Sequence, residues 1–343
     1  MKSFASRVID WQRLHGRHDL PWQINRDPYR IWLSEIMLQQ TQVATVIPYF
    51  ERFIARFPDQ TALAAASEDE VLALWSGLGY YSRARNLLAA AREITARHSG
   101  HFPDTPETLV TLPGIGRSTA AAIAALAFAR RCAILDGNVK RVLARHAGIT
   151  GWPGEKTVEN HLWQLAESRL PRIAIAPYTQ GMMDLGATLC TRSQPDCPAC
   201  PVRADCVARI EQRTAELPTA RPRKKLPEKQ IQMLLLLDRG ELMLEKRPPR
   251  GIWGGMWGLP ELSVGEDPAR HCLERFGFTT RSLHRLPQLS HSFTHFRLHI
   301  QPVRLQLAPR LATPPGQIWL PLDEAPHAAL PAPVRKLLAQ LNR

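Results

Sequence analysis

Residues 190–206 have the sequence CTRSQPDCPACPVRADC. Three prolines interrupt this stretch, so we expect a short irregular loop rather than a helix or a strand. Four cysteines lie on it in the spacing Cys-x6-Cys-x2-Cys-x5-Cys: Cys190, Cys197, Cys200 and Cys206. Four thiolates on one short loop can converge on a single point, as an iron–sulfur cluster with all-cysteine ligation requires. The spacing therefore predicts such a cluster.

A structural zinc ion is the main alternative for these four thiols. Zinc sites usually pair two short Cys-x2-Cys knuckles, whereas this loop has one knuckle with two unequal flanks. Unligated thiols or disulfides are a third possibility, and they fit poorly with a chain in which we find no export signal. Cys132 and Cys272 lie far from the loop in apolar surroundings, and we expect both in the core.

The chain is basic and long enough for two domains, each with its own core. It has 343 residues, a formal net charge of +13 and a pI of about 10.0. The first twenty residues carry several charges, and the longest apolar run, residues 120–129, is too short to cross a bilayer. We therefore expect a cytoplasmic protein that binds a polyanion and no membrane.

The residue pattern divides the chain into three parts. Residues 1–212 have apolar side chains at helical spacing between Gly and Pro breaks, which predicts an all-α domain that includes the loop 190–206. Residues 213–229 contain three prolines and a basic cluster (Arg221, Arg223, Lys224 and Lys225), as is typical of a linker. Residues 230–343 contain short strand-like runs and predict an α+β domain: 231–237, 241–246 and 299–307.

A glycine turn separates two helical stretches at Leu112-Pro113-Gly114-Ile115-Gly116. Gly114 and Gly116 allow a tight turn whose amides point outward, beside the positive end of the helix predicted at residues 117–131. Such a turn can bind phosphate without reading bases, although many Gly-x-Gly turns are plain connections. With its flanking Thr and Ser residues it resembles the helix-hairpin-helix of DNA repair glycosylases.

A carboxylate follows an apolar run twenty residues after this turn, at Asp136 in the sequence AILDGNVKR (133–141). Asp136 could cap the next helix, but we predict that Asn138 is the cap, which leaves Asp136 for chemistry. Lys140 and its basic neighbours on this helix are expected to contact DNA phosphates, and a solvated basic face is the alternative.

Glu35 is the second carboxylate of interest, in the sequence YRIWLSEIML (29–38). Apolar residues lie one helical turn before and after it, so desolvation should raise its pKa and make it a proton donor. A buried ion pair with Arg30 or Arg83 is the alternative. One protonated and one ionised carboxyl group are what cleavage of a glycosidic bond requires.

Two exposed tips interrupt the helical pattern. Gln40 lies in QQTQ (39–42), and Tyr80 and Tyr81 end the sequence GLGYY (77–81). Amide and aromatic side chains on such tips can wedge into a base stack that a flipped nucleotide has left. Core packing is the alternative for the two tyrosines.

In combination, these motifs resemble the endonuclease III superfamily and, within it, the adenine DNA glycosylase family. The cysteine loop, the LPGIG turn and Asp136 carry the wider resemblance. The narrower one rests on LPW (20–22), SEIMLQQTQ (34–42) and LDGNVKR (135–141). The resemblance covers nearly the whole chain and implies a [4Fe–4S] cluster on the four cysteines, with double-stranded DNA as the partner.

The resemblance also implies roles for single residues. In the family, the residue matching Glu35 protonates adenine at N7, and the one matching Asp136 stabilises the sugar cation. Trp22 and Asp184 match positions that line the adenine pocket. Bifunctional members of the superfamily have a lysine where this chain has Ser118, and that lysine attacks the sugar. Serine has no amine, which implies a monofunctional glycosylase that uses water.

The C-terminal region resembles a Nudix hydrolase with an altered catalytic box. In RHCLERFG (270–277), His271 and Arg275 replace two of the three glutamates that gather metal, so we expect no nucleotide hydrolysis. In adenine DNA glycosylases the equivalent domain senses 8-oxoguanine in the opposite strand. The loop that resembles the sensing loop contains Phe293 and Thr294.

We therefore predict a monomeric, nucleoid-associated DNA glycosylase of base excision repair that acts on adenine mispaired with 8-oxoguanine or guanine. The predicted fold is multidomain, with an all-α helix-hairpin-helix domain carrying the [4Fe–4S] loop and an α+β Nudix-like domain. Glu35 and Asp136 are the predicted catalytic residues. The predicted substrate-binding residues are Trp22, Gln40, Tyr80, Gly114, Gly116, Ser118, Asn138, Lys140, Asp184, Phe293 and Thr294.

Two alternatives remain at this point. A bifunctional endonuclease III-like glycosylase with lyase activity is the closer one, and Ser118 argues against it. A non-catalytic iron–sulfur DNA-binding protein is the other, and the paired carboxylates argue against that.

Overall fold

The computed structural model describes residues 2–222, 226–309 and 316–341. These residues form two compact units, the first made of 2–65 and 86–222 and the second of 66–85, 226–309 and 316–341. Three basic residues of the predicted linker, Arg223, Lys224 and Lys225, lie outside the described residues. The boundaries predicted at residues 212 and 229 stay predictions, but the segment 66–85 groups with the second unit rather than with the helical residues around it.

The chain up to residue 210 is helical, as predicted. The helices are α1 (Phe4–His15), α2 (Pro28–Leu38), α3 (Val43–Arg56), α4 (Gln60–Ala64), α5 (Glu68–Trp75), α6 (Ser82–Arg97), α7 (Pro106–Leu109), α8 (Arg117–Phe128), α9 (Gly137–Ala147), α10 (Lys156–Ser168), α11 (Ile175–Asp184) and α12 (Val207–Ile210). None of the described helices combines the length and the apolar character that spanning a membrane requires.

Helix α8 is the centre of the first unit, and its small side chains explain why. The alanines at 120, 121, 122, 124 and 125 are all buried. Because they let neighbouring backbones approach closely, α2 and α11 both pack on α8, and α1 packs on α11. The helix ends at Ala129 in the left-handed conformation (φ 54°), earlier than the predicted residue 131. The chain then returns along α8 to Asp136, which brings Asp136 to the side of α2.

The predicted helix-hairpin-helix is formed by α7, the glycine turn and α8. Gly114 has a φ of 77°, and a Cβ atom there would lie 2.7 Å from Cβ of Asn86, so both conformation and space require glycine. Gly116 precedes α8 as its N-cap and offers no side chain to the first amides of the helix. The start of α8 therefore has no side-chain cap, and free amides at a helix start are what phosphate binding uses.

The second unit contains a mixed sheet and further helices besides α5, which confirms the α+β prediction. Its strands are β1 (Glu228–Asp238), β2 (Glu241–Lys246), β3 (Trp257–Gly258), β4 (Glu261–Ser263), β5 (Thr280–Arg285), β6 (Leu289–Ser292), β7 (Arg297–Leu307) and β8 (Gln317–Pro321). The strand order is β3-β2-β1-β7-β5, with β4 paired to β1, β6 to β7 and β8 to β2. The helices are α13 (Pro268–Phe276) and α14 (Ala332–Leu341).

Parallel pairing of β1 with β7 forms the middle of the sheet. Alternate residues of these strands, among them Leu234 and Leu305, pack with Cys272 and Phe276 of α13 into one core. Cys272 is fully buried there, which confirms the core position predicted for it. Cys132 is half-buried at the edge of the core of the first unit.

The segment 66–85 is attached to the second unit by polar contacts at α5. Ser76 Oγ donates a hydrogen bond to the Leu330 carbonyl (2.6 Å), and the Arg335 guanidinium donates one to the Ser76 carbonyl (3.0 Å). Lys246 of β2 forms an ion pair with Asp69 of α5. These contacts explain why residues distant in sequence group together here.

Candidate active site

An open cleft of about 1320 Å³ lies within the first unit. Its walls come from the loop after α1, from α2 and the tip that follows it, from the first turns of α8 and α9, and from α11. Six of the predicted site residues line this cleft: Trp22, Glu35, Gln40, Ser118, Asp136 and Asn138. The structure thus brings residues more than one hundred positions apart to one place.

Glu35 projects into the cleft from the apolar face of α2. Burial of its carboxyl group, followed by the negative charge of Asp136, raises its pKa from the usual 4.5 to about 8. Among the described residues, no basic side chain pairs with it. Arg30 lies 3.8 Å from Asp27, and Arg83 donates to the Leu78 and Gly79 carbonyls. The ion-pair alternative for Glu35 is therefore wrong, and burial favours the protonated form of its carboxyl group.

The cap of α9 differs from the prediction. Asp136, not Asn138, is the N-cap, since its Oδ1 accepts a hydrogen bond from the Val139 amide (2.7 Å). Asn138 lies inside the helix, and its side-chain amide donates to the second carboxylate oxygen, Oδ2 (3.4 Å). The prediction treated capping and chemistry as alternatives, but one carboxylate oxygen serves as cap while the side chain still lines the cleft.

The two carboxyl groups differ in the hydrogen bonds they receive. Burial raises the pKa of Asp136, but the Val139 and Asn138 amides and the nearby Arg141 charge oppose that rise. These donors favour the ionised form. No such opposing effect acts on Glu35, because both burial and the Asp136 charge raise its pKa. The hydrogen bonds of the site therefore favour ionisation at Asp136 and not at Glu35.

Ser118 lies in the first turn of α8 and lines the cleft. Its Oγ accepts a hydrogen bond from the Leu135 amide (2.9 Å), which ties the start of α8 to the residue before Asp136. The described residues that line the cleft include arginines but no lysine. Lys140 is not among the cleft residues, and its Nζ lies 2.5 Å from Oε1 of Glu159. Its predicted contact with DNA stays a prediction.

Asp184 is not among the residues that line the cleft, and its predicted contact with the base pocket stays a prediction. It is fully buried and receives hydrogen bonds from the Arg17 amide (3.0 Å), the Arg17 guanidinium (2.8 Å) and the Gln180 side chain (2.9 Å). Arg17 and Gln180 are the residues that face the cleft. Trp22 is at the wall, as predicted, and packs edge-on against Phe50 with ring centroids 5.4 Å apart.

The two predicted tips have left-handed backbones at their exposed residues. Gln40 follows α2 with a φ of 60°, and Tyr80 precedes α6 with a φ of 49°. Such conformations cost about 1 kcal/mol or more for residues other than glycine, and they concentrate at functional sites. Tyr80 is 44% exposed, whereas Tyr81 is only 6% exposed. The wedge role stays a prediction for Tyr80. Tyr81 packs in the core, which was the alternative for this residue.

Arg141 joins the cleft to the cysteine loop, a role that the sequence analysis missed. Its guanidinium donates to Asn138 Oδ1 (2.8 Å), to the Gly186 carbonyl (2.6 Å) and to the Cys190 carbonyl (2.7 Å). The sequence indicated only the contact with Asn138, because Arg141 follows Asn138 by three residues on a predicted helix. The other two depend on tertiary structure.

The four cysteines of residues 190–206 line one shared cavity in the first unit. Arg145 also lines this cavity, donating to the Thr191 carbonyl (2.6 Å) and contacting Cys190 Sγ (3.4 Å). Among the described residues, no three His, Cys, Asp or Glu side chains are already arranged to hold a metal ion. Burial raises the pKa of the Cys200 thiol to about 11. Four thiols in one cavity with adjacent arginines fit a thiolate-bound cationic group, which would favour their ionisation.

The predicted sensing loop lies between β6 and β7 in the second unit. Phe293 is half-buried and stacks on Phe296 with centroids 4.4 Å apart, and Thr294 beside it is exposed. In the altered Nudix box of α13, Arg275 reaches Glu245 at 2.9 Å, so a guanidinium group already neutralises that carboxylate. In this loop Thr294 and His295 are exposed, and Phe293 is partly exposed.

Comparisons with known proteins agree with this geometry. Residues 33–168 match the HhH-GPD superfamily of base excision DNA repair proteins, and residues 232–340 match the NUDIX domain. The chain is 38% identical to an adenine DNA glycosylase of Buchnera aphidicola subsp. Acyrthosiphon pisum, over 99% of this chain and 98% of the relative. It is 34% identical to the mouse adenine DNA glycosylase, over 98% of this chain and 77% of the relative.

Two solved structures share the fold of the helical part of the chain. A thermostable thymine-DNA glycosylase is similar with a TM-score of 0.54 and 28% identity, over 61% of this chain and 95% of that one. An endonuclease III in a non-covalent DNA complex shares the fold, with a TM-score of 0.52 and 20% identity over 61% of this chain and 94% of that one.

Proposed function

The chain belongs to the adenine DNA glycosylase family and is a DNA glycosylase of base excision repair, and we propose that its substrate is adenine mispaired with 8-oxoguanine or guanine. The observation that carries the chemistry is the Glu35–Asp136 pair in the cleft. A carboxyl group with a pKa of about 8 is mostly protonated at neutral pH, beside a carboxylate that receives amide hydrogen bonds.

In the proposed reaction, Glu35 donates its proton to N7 of an adenine flipped into the cleft. The bond between N9 and C1′ then breaks, and its electron pair stays with the neutral adenine. The sugar becomes an oxocarbenium-like cation, which the Asp136 carboxylate stabilises. Water attacks C1′, and the Glu35 carboxylate accepts the proton that the water loses. Trp22 and Gln40, on the wall and at the tip of the cleft, are proposed to contact the flipped nucleotide and its stack.

The reaction is proposed to be monofunctional, without a lyase step. The cleft lining among the described residues lacks a lysine, Ser118 has no amine, and Lys140 is held by Glu159. An attacking amine is what a Schiff base with the sugar requires. Water is therefore the nucleophile.

DNA binding is a property of this family of repair enzymes, and we propose which groups contact the duplex. The uncapped start of α8 at Gly114–Gly116 supports phosphate binding, and Tyr80 supports a wedge in the base stack. The hydroxyl group of Thr294 and the ring edge of Phe293 are the proposed contacts to 8-oxoguanine. The enzyme is proposed to act as a monomer on DNA of the nucleoid.

A [4Fe–4S] cluster is the proposed cofactor, held by Cys190, Cys197, Cys200 and Cys206. Their shared cavity and the spacing of the loop support this assignment over zinc. When bound, the cluster supplies four covalent cross-links to a loop that has little regular structure. The chain's own contribution is Arg145 and Arg141, which hold the backbone carbonyls of the loop against α9.

A single-turnover assay tests this proposal. Duplexes with one A·8-oxoguanine, A·G or A·T pair are incubated with excess enzyme, and released adenine and abasic sites are measured. Release from the first two and not from A·T is expected. Strand breaks without added base, or release from A·T at the same rate, contradict the proposal.

Replacing Ser118 tests the monofunctional reaction separately. Ser118→Lys places an amine at the start of α8, where the partial positive charge of the helix favours the neutral, nucleophilic form. We expect more protein–DNA adduct after borohydride trapping than with wild type. Arg117→Lys is the matched control, because Arg117 is exposed, pairs with Glu167 and does not line the cleft. Equal trapping in both variants means that residue 118 does not face the sugar.

A further inference from the structure

The predicted sensing loop belongs to a hairpin formed by β6, the turn 293–296 and the start of β7, here named the sensing hairpin. This hairpin contacts a tryptophan, Trp253, that has no role in the proposed reaction. Phe293 closes the turn by donating its amide to the Phe296 carbonyl (2.9 Å). Its ring lies 5.4 Å from that of Trp253, and His291 lies 5.9 Å from the same ring. Trp253 is only 7% exposed. The position of Phe293 therefore depends on Trp253.

Trp253 belongs to a tight connection between β2 and β3, residues 247–256, here named the Trp253 loop. Arg247 donates to the Ile252 carbonyl (3.1 Å), stacks 5.5 Å from the Trp253 ring and is itself fixed by Glu261 (2.5 Å). A Cβ atom on Gly254 would lie 2.5 Å from the Pro249 carbonyl oxygen. Such close internal packing makes this loop a rigid support rather than a flexible connection.

Arg85 also contacts the Trp253 loop, although it lies 169 positions before Gly254 in the sequence. The Arg85 guanidinium donates to the Gly254 carbonyl at 2.5 Å. A Cβ atom on Gly255 would meet the Glu68 carboxylate at 2.5 Å, so α5 also contacts this loop closely. Arg85 and Glu68 lie on either side of the Tyr80 tip in sequence, and both are attached to the loop.

The Tyr80 tip is fixed to the same helix start as Arg85. The Arg83 amide donates to the Tyr80 carbonyl (2.9 Å), and its guanidinium donates to the carbonyls of Leu78 (3.3 Å) and Gly79 (3.2 Å). The guanidinium also lies 5.6 Å from the Tyr80 ring. Tyr80 contacts Arg83, two residues before Arg85 on the same helix, and Arg85 in turn contacts the loop that holds Trp253 against Phe293.

We propose that Arg85 is a positioning residue for mispair specificity, because it joins the Tyr80 tip to the sensing hairpin through the Trp253 loop. The inference rests on the proposed roles of Tyr80 and Phe293 at the DNA. When two groups are held on one rigid support, binding of the first group to the duplex also positions the second. The second group then loses less conformational freedom when it binds. Arg85 itself touches neither base.

A double-mutant cycle on the full chain tests this coupling. The readout is the ratio of single-turnover adenine release from A·8-oxoguanine to that from A·G. Tyr80→Ala and Phe293→Ala are measured singly and together, first with Arg85 present and then with Arg85→Met. We expect the two effects to deviate from multiplicative behaviour by at least about threefold when Arg85 is present, as contacting groups do. With Arg85→Met they should multiply.

Two matched variants control the experiment. Arg97→Met removes the same charge from the exposed far end of α6, where Arg97 pairs with Glu93, and should leave both the ratio and the coupling unchanged. Arg85→Lys keeps a cationic donor and should restore part of the coupling. A variant that is only less stable lowers adenine release from both mispairs by the same factor. The ratio of the two rates then stays unchanged.

The outcomes separate the two proposals. If wild type does not prefer A·8-oxoguanine, the proposed contacts of Phe293 and Thr294 to 8-oxoguanine fail, and the coupling inference fails with them. If wild type discriminates but the coupling factor is the same with Arg85→Met, only the role of Arg85 is overturned. Loss of coupling in Arg97→Met as well would also overturn it, because general charge would then be the cause.

Discussion

The cleft of the first unit and the sensing hairpin of the second unit are built in contrasting ways. In the cleft, titratable groups are withdrawn from water, and Glu35 has a pKa of about 8. In the hairpin, packed aromatic rings support an exposed hydroxyl group, and Thr294 faces solvent. Desolvation changes reactivity, whereas an exposed donor on a rigid support changes which partner fits. Changes in the cleft should therefore alter rate, and changes in the hairpin should alter discrimination.

The largest effect is expected from Glu35→Gln. Glutamine keeps the shape but has no acidic proton, so single-turnover adenine release should fall by about 10²–10⁴-fold. Duplex affinity, measured by fluorescence anisotropy, should change little. Glu51→Gln on the exposed face of α3 is the control and should release adenine normally. Release near the wild-type rate by Glu35→Gln would remove the contrast between the two regions.

Asp136 should be the second most sensitive position, and its two tasks can be separated. Asp136→Asn keeps a good helix cap but loses the charge, so adenine release should fall by about 10²-fold with little change in stability. Asp136→Ala loses both and should also lower the free energy of unfolding by about 0.5–2 kcal/mol. Urea denaturation and single-turnover kinetics measure the two effects. Equal stability of both variants would mean that the cap contributes nothing.

The pH dependence should follow the titration of Glu35 in the cleft. Adenine release should fall about tenfold for each pH unit well above 8, because Glu35 must hold its proton. The folded state binds more protons than the unfolded state between the two pKa values of Glu35, 4.5 and about 8. The free energy of unfolding should therefore fall as the pH rises across this interval, and Glu35→Gln should remove that contribution. A flat rate from pH 7 to 9.5 contradicts the assignment of the acid.

The smallest effect belongs to the hairpin. Thr294→Ala removes a hydroxyl donor, and we expect the preference for A·8-oxoguanine over A·G to fall about two- to tenfold. The rate on A·G should stay close to that of wild type. Thr294→Ser keeps the hydroxyl group and serves as the matched variant with unchanged preference. A fall in rate on both mispairs would mean that the hairpin contributes to catalysis rather than to discrimination.

Much of the fold was accessible from local patterns. The helical part, the hairpin of β1 and β2, and the glycine turn before α8 follow from periodicity and turn chemistry, which depend on neighbouring residues. The raised pKa of Glu35 was predictable for the same reason, since its apolar neighbours lie one turn away on α2. Errors arose where two local solutions compete: both Asp136 and Asn138 are good caps, and only the bend of the chain after α8 selects Asp136.

By itself, the sequence determined the elements, the cysteine spacing and the candidate carboxylates, because each depends on residue type and short-range geometry. Only the tertiary structure decided which side chains face the cleft. It buried Asp184 beneath Arg17, paired Lys140 with Glu159 and attached Arg85 to Gly254. Contacts between residues that are far apart in sequence depend on how helices and loops pack, and residue type alone does not determine that packing.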